Sequence, residues 1–132
     1  MKTSNDLSIE EQNKAVLRRW YDEMYANQRW ELMQELAGPL YIRHEPTGTF
    51  TVTVEEHAQR MEKAISRFEN MGEFSYDLFA EGDKVCVLGR FKREGKEGAP
   101  ETKSSNFIQI FRLKDGKLVE TWYTGMARDV EW

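Results

Sequence analysis

The 132-residue chain reads as an α+β domain, a curved antiparallel sheet with three helices packed on its concave face. Two observations predict this. Up to about residue 72 apolar side chains recur at helical spacing; beyond it the period changes to two, and strand-length runs are separated by turn residues. Helices gathered ahead of a run of strands are the pattern of a sheet covered on one face. A curved sheet so covered makes a cone-shaped cup, and its open end is a pocket. The length suits one domain over residues 1–132, and an apolar content of 39% with 12% aromatics suits a folded core.

The elements follow in order. Residues 1–8 are expected to be a flexible N-terminus. Ser8 and Glu11 have capping-box spacing, and Val16, Leu17, Trp20, Tyr21, Met24 and Tyr25 continue one face, so a helix is expected over about 9–26. "RWELMQELAGP" repeats the period through Trp30, Met33 and Leu36, and Gly38-Pro39 ends it. "LYIRHE" is a short strand and "PTGTFT" a loop. Thr53 and Glu56 form a second capping box, opening a third helix whose face is Val54, His57, Ala58, Met61, Ile65 and Phe68, closed by Gly72. Then come the strands "FSYDLFAE" and "KVCVLGRFKR", a polar loop "EGKEGAPET", the strand "KSSNFIQIFRL", a two-residue Asp-Gly turn and the strand "KLVETWYTGMAR".

Composition narrows the function. The net charge is −4, with 19 basic and 23 acidic residues interspersed, and no basic stripe that would engage nucleic acid. No apolar run approaches the roughly 18–20 residues that cross a bilayer, and "MKTSNDLSIEEQ" lacks the apolar stretch of a signal peptide. The chain is expected to act without membrane or nucleic acid, in the cytoplasm. Cys86 is the lone cysteine; in "KVCVLG" it reads as a small core residue. His44 and His57 are not at ligand spacing, so no metal is expected.

The chemistry concentrates in "YIRHEPTG", where a strand runs into His44 and Glu45 just before a turn. Neighbouring strand residues point to opposite faces, so one of the pair faces the cup. A carboxylate at the mouth of an apolar cup is a candidate general base, and an imidazole is the natural alternative. His57, on the first turn of the third helix, either approaches the same mouth or is a satisfied core residue. Trp20 and Phe107 read as core or cavity wall. In "SSNFIQIFRL" both alternating sets are largely apolar, which suits a strand covered by helices on one face and by a second copy of the chain on the other.

The element order, with "NKAVLRRWYDEMYANQRWELMQELAGPLYIRHEP" and "FIQIFRLKDGKLVETW", resembles the nuclear-transport-factor-2-like superfamily. Within it the chain resembles the SnoaL-like polyketide cyclases and the related ketosteroid isomerases. The resemblance covers nearly the whole chain and implies the cup-shaped fold. Carried over residue by residue from the isomerase pattern, it implies Glu45 as base, Tyr21 as oxyanion donor and Gln109 as second donor. It also implies that Phe107, Gln109, Phe111, Thr121 and Tyr123 face inward. Thr121-Trp122-Tyr123 stands where the cyclases usually carry His-Trp-Asp, so their base has no counterpart here. Together these imply cofactor-independent acid/base chemistry (isomerisation, dehydration or cyclisation) on a small apolar carbonyl compound, in a homodimer. Glu45, His44 and Tyr21 are the catalytic candidates; Gln109, Tyr123, Trp20, Phe107, His57 and Thr121 are the binding candidates. A non-catalytic ligand-binding or dimerisation module of the same fold is the alternative.

Overall fold

A computed structural model describes residues 7–66, 72–93 and 103–125. Helix α1 spans Ile9–Arg18, and Ser8 caps it by accepting the Glu11 amide at 3.1 Å. The helix continues as a wider π-helical turn over Arg19–Tyr25, so the expected span of 9–26 holds as one rod with a changed pitch. Two i to i+5 bonds mark the change: the Ala26 amide donates to the Tyr21 carbonyl at 2.9 Å and the Arg29 amide to that of Met24 at 2.8 Å. A 3₁₀ turn (Trp30–Leu32) leads into a short α2 (Met33–Leu36). Helix α3 spans Val54–Ile65 behind the capping box of Thr53 and Glu56.

Among the described residues, six strands form one sheet in the order β2-β1-β6-β5-β4-β3. They are β1 (Ala37–Glu45), β2 (Gly48–Thr53), β3 (Glu73–Glu81), β4 (Lys84–Arg93), β5 (Lys103–Lys114) and β6 (Lys117–Gly125). Two expectations are corrected. Only Pro46-Thr47 of "PTGTFT" is a turn: from Gly48 the chain is strand, and Gly48–Thr53 pairs antiparallel with β1, Leu40 opposite Thr53 through Glu45 opposite Gly48. The apolar period there is weak because β2 is an edge strand whose first four residues are exposed. And β1 begins at Ala37, so Gly38-Pro39 lies inside the strand instead of ending a helix beyond it. Gly38 has φ +94, and a Cβ there would overlap the Val54 side chain, so the strand passes under α3 only without one. The loop expected at 94–102 and residues 1–6 of the N-terminal segment expected over 1–8 lie outside the described residues, as does Phe68.

Strands β1 and β6 pair in parallel, the other pairings being antiparallel. Register shifts between Ala37 and Ile42 and between Arg112 and Leu113 interrupt the β1–β6 and β5–β6 pairings, the kind of irregularity that bends a strand. The buried core lies between them: Leu17, Met24, Met33, Tyr41, Phe111 and Leu118 are all at most 1% exposed. The opposite face carries the row Thr49, His44, Trp122, Ile110, Cys86 and Phe79, aligned across five pairings. Among the described residues, no helix is long and apolar enough to cross a membrane.

Candidate active site

Register decides which side chains enter the cup. On β1 the inward set is Tyr41, Arg43 and Glu45; on β5 it is Phe107, Gln109 and Phe111; on β6 it is Thr121 and Tyr123. The π-helical turn brings in Trp20, Tyr21, Met24 and Tyr25, and α3 contributes His57 and Met61. Of these, Trp20, Tyr21, Met24, Tyr25, Arg43, His57, Met61, Phe107, Gln109 and Tyr123 line a cavity of about 270 Å³, with Phe74 and Phe91 completing its aromatic wall. The volume is near the lower end of ligand pockets and suits a small molecule.

Phe107 opposes Gly89 across the β4–β5 pair, and its ring lies where a Cβ on Gly89 would be. The ring forms wall only because that side chain is missing. Gly89→Ala is expected to drive it into the cup, shrink the cavity and cost about 1–3 kcal/mol from overpacking. Chemical denaturation and a crystal structure of the variant check this; an unmoved ring and an unchanged midpoint would count against it.

The polar groups form two chains. In the first, the Tyr21 hydroxyl donates to Gln109 Oε1 at 3.4 Å, Gln109 Nε2 donates to Thr121 Oγ1 at 2.9 Å, and Thr121 donates to the Ile110 carbonyl at 2.9 Å. The first link is long for an O–H···O bond, so the phenol hydrogen is only weakly engaged. Burial pushes the Tyr21 phenol well above its ordinary value, so it stays protonated and can donate. Gln109 turns its carbonyl toward Tyr21 and commits an N–H to Thr121. Thr121 is fully buried behind Gln109 and supports it without lining the cavity.

The second chain is ionic. Glu45 Oε1 accepts from Arg43 Nε at 2.6 Å, and Arg43 Nη1 lies 3.0 Å from His57 Nε2. A guanidinium can only donate, so Nε2 accepts and the ring proton resides on Nδ1. Burial, with Arg43 and Arg60 adding to it, pushes the His57 imidazole down to about 3, so it is neutral. Trp20 stacks on the ring with centroids 6.4 Å apart. His57 is both things the sequence allowed, a 3%-exposed residue and part of the pocket wall.

His44 points the other way. Its Nε2 bonds Glu120 at 2.7 Å, its Nδ1 pairs with Thr49 at 3.0 Å, and its ring stacks on Trp122 at 5.2 Å. The bond from His44, together with Arg112, holds the Glu120 carboxyl below its usual range. His44 and Glu45 are consecutive on β1, and that puts the imidazole on the face away from the cup. As a base for a ligand in the cup, His44 is therefore excluded by its direction. Glu45 keeps the cup side, but Arg43 stands between it and the cavity wall.

Tyr123 lines the cavity beside Phe107, with ring centroids 5.5 Å apart. Trp20 and Phe107 are wall residues. Sequence reading missed Arg43. The signal was present: it shares its strand parity with Tyr41 and Glu45, so a cup-facing Glu45 implied a cup-facing Arg43. Cys86 lies on the outer row, and burial raises its thiol, which disfavours the reactive thiolate. Among the described residues, no group of three or more His, Cys, Asp or Glu is gathered that could hold a metal ion.

A family model for SnoaL-like polyketide cyclases matches residues 15–125. The comparison with curated proteins finds no match. Among solved structures, the chain is similar to a protein of Jannaschia sp. CCS1 assigned as a SnoaL-like polyketide cyclase. The TM-score is 0.77 at 20% identity, covering 95% of this chain and 90% of that one. A protein of Acidithiobacillus ferrooxidans assigned as a polyketide cyclase gives 0.74 at 19% identity, covering 92% of each chain. A Catenulispora acidiphila protein with a ketosteroid isomerase-like fold, solved in complex with trimethylamine, gives 0.67 at 14% identity over 83% of each chain. At these identities the solved structures establish the shared fold, while the family match spans most of the sequence. The chain belongs to the SnoaL-like polyketide cyclase family.

Proposed function

We propose that the chain is a small-molecule enzyme carrying out cofactor-independent acid/base chemistry on an apolar carbonyl compound held in the cup. The observation that carries this reading is the Tyr21 phenol. It is buried, kept protonated by its surroundings, and held by only a 3.4 Å link to Gln109 within an aromatic cavity. A ligand carbonyl reaching Tyr21 would accept this hydrogen bond in place of Gln109. As a proton leaves the neighbouring carbon, negative charge grows on that oxygen and the bond strengthens, which lowers the barrier. Glu45 is the proton acceptor in this scheme. Among the described residues no carboxylate lines the cavity, and Glu45 is tied to the wall through Arg43. Its Oε1 is occupied by Arg43, and Oε2 has no partner among the described residues.

A second reading, a non-catalytic ligand-binding cup, is favoured by one feature: Glu45 lies behind Arg43 and does not itself line the cavity. Deuterium exchange separates the two. With 2-tetralone in deuterated buffer, the wild-type protein is expected to speed exchange of the protons next to the carbonyl, read by NMR. Glu45→Gln is expected to reduce that rate at least about 10²-fold, the usual contribution of a positioned base. Binding of 2-tetralone without any acceleration would sink the enzymatic reading and leave the binding cup.

A further inference from the structure

We propose that the natural ligand carries an anionic oxygen, a carboxylate or an ionised enol, that pairs with Arg43. This rests on the reading that the cup holds a small carbonyl compound, and it narrows the class of that compound.

Arg43 is the one charged side chain on the cavity wall among the described residues. His57, the other titratable base there, is neutral, and among the described residues no carboxylate lines the wall for an incoming anion to meet. The guanidinium is held from two sides: Glu45 takes the Nε edge, and His57 takes a hydrogen from Nη1. That leaves Nη2 with no acceptor among the described residues, in a side chain only 14% exposed. A guanidinium forked between two partners is a pre-set donor, because its planar geometry keeps the remaining N–H groups in a fixed direction. The polar part of the cup thus presents donors to a ligand, Arg43 and the Tyr21 phenol among them. Charge attraction is strong in such an apolar enclosure, since little water remains to screen it. Glu45 fits the same picture. It holds the arginine in place from behind the wall, and a guanidinium can serve two carboxylates on different edges.

The test uses three bicyclic probes on the full chain: 2-naphthoate, its neutral isostere 2-naphthamide, and the ketone 2-tetralone, titrated by calorimetry. Wild type is expected to bind 2-naphthoate at least about tenfold more tightly than 2-naphthamide, a difference of about 1.4 kcal/mol. In the double variant Arg43→Gln/Glu45→Gln, which removes both charges together, that preference should vanish while 2-naphthamide affinity changes less than about threefold. Equal affinities in wild type, or a preference that survives in the double variant, overturn the proposal. If 2-tetralone and 2-naphthamide bind but the acid holds no advantage, the anion requirement fails and the carbonyl reading stands. If none of the three binds, both fail. Should circular dichroism show the double variant unfolded, Arg43→Lys replaces it. Loss of the fork is then expected to weaken 2-naphthoate about tenfold and leave 2-naphthamide unchanged, and an unaltered 2-naphthoate affinity overturns the proposal.

Discussion

Tyr21→Phe is expected to lower the rate of 2-tetralone exchange by about 10²–10³-fold, the usual effect of losing one oxyanion donor. Its effect on stability should be far smaller. Among the described residues, the lost hydroxyl makes a single 3.4 Å contact with Gln109, weaker than the typical hydrogen bond of about 1 kcal/mol. The ring itself stays, and with it the aromatic packing against Phe74 at 5.2 Å and Tyr76 at 4.9 Å. A large fall in rate beside a small shift in the denaturation midpoint is therefore the signature of a catalytic phenol. Equal losses in both, or an unchanged rate, would reduce Tyr21 to a core residue.

The second large effect is acid sensitivity, and it comes from His57. Its imidazole is near 6.5 when unfolded and about 3 in the fold, so between those values the unfolded chain binds the extra proton. The stabilisation is fully present above about 6.5 and is lost as pH falls toward 3, at up to about 1.4 kcal/mol per pH unit. Glu120, held low by His44 and Arg112, adds acid sensitivity of the same sign. Its contribution is present above the ordinary carboxylate value and declines only as pH falls below it. The interval from pH 6.5 to 5 thus isolates His57 from that carboxyl. Urea denaturation of wild type is expected to show a declining midpoint across this interval. His57→Gln, whose amide can still accept from Arg43, should remove most of the slope. A variant as acid-sensitive as wild type would place the effect elsewhere.

The two predictions stand differently toward the sequence. Tyr21 was legible because a helix of known phase and a family pattern both pointed to it. The depressed imidazole was not. His57 stood on an apolar helical face, and nothing in its neighbours along the chain announced Arg43, fourteen positions earlier. The base raised a similar problem. "HE" offered two candidates, and period-two alternation guaranteed that they diverge, but alternation carries no sign. Only the pairing of Arg43 with Thr121 and of His44 with Trp122 assigned the faces.

Local chemistry determined the order of elements, both helix caps, the Asp-Gly hairpin and the change of period near residue 73, because each depends on residues close in sequence. It also determined that the chain builds a helix-covered sheet with an aromatic hollow. Edge strand β2 escaped it, since an exposed edge strand needs no apolar alternation. Tertiary structure decided what the hollow presents to a ligand. The register placed Phe107 over Gly89, turned His44 out, and put Arg43 between Glu45 and the cavity. The reason is that charge pairing and desolvation act through space, between groups that only the sheet's lateral pairings bring together.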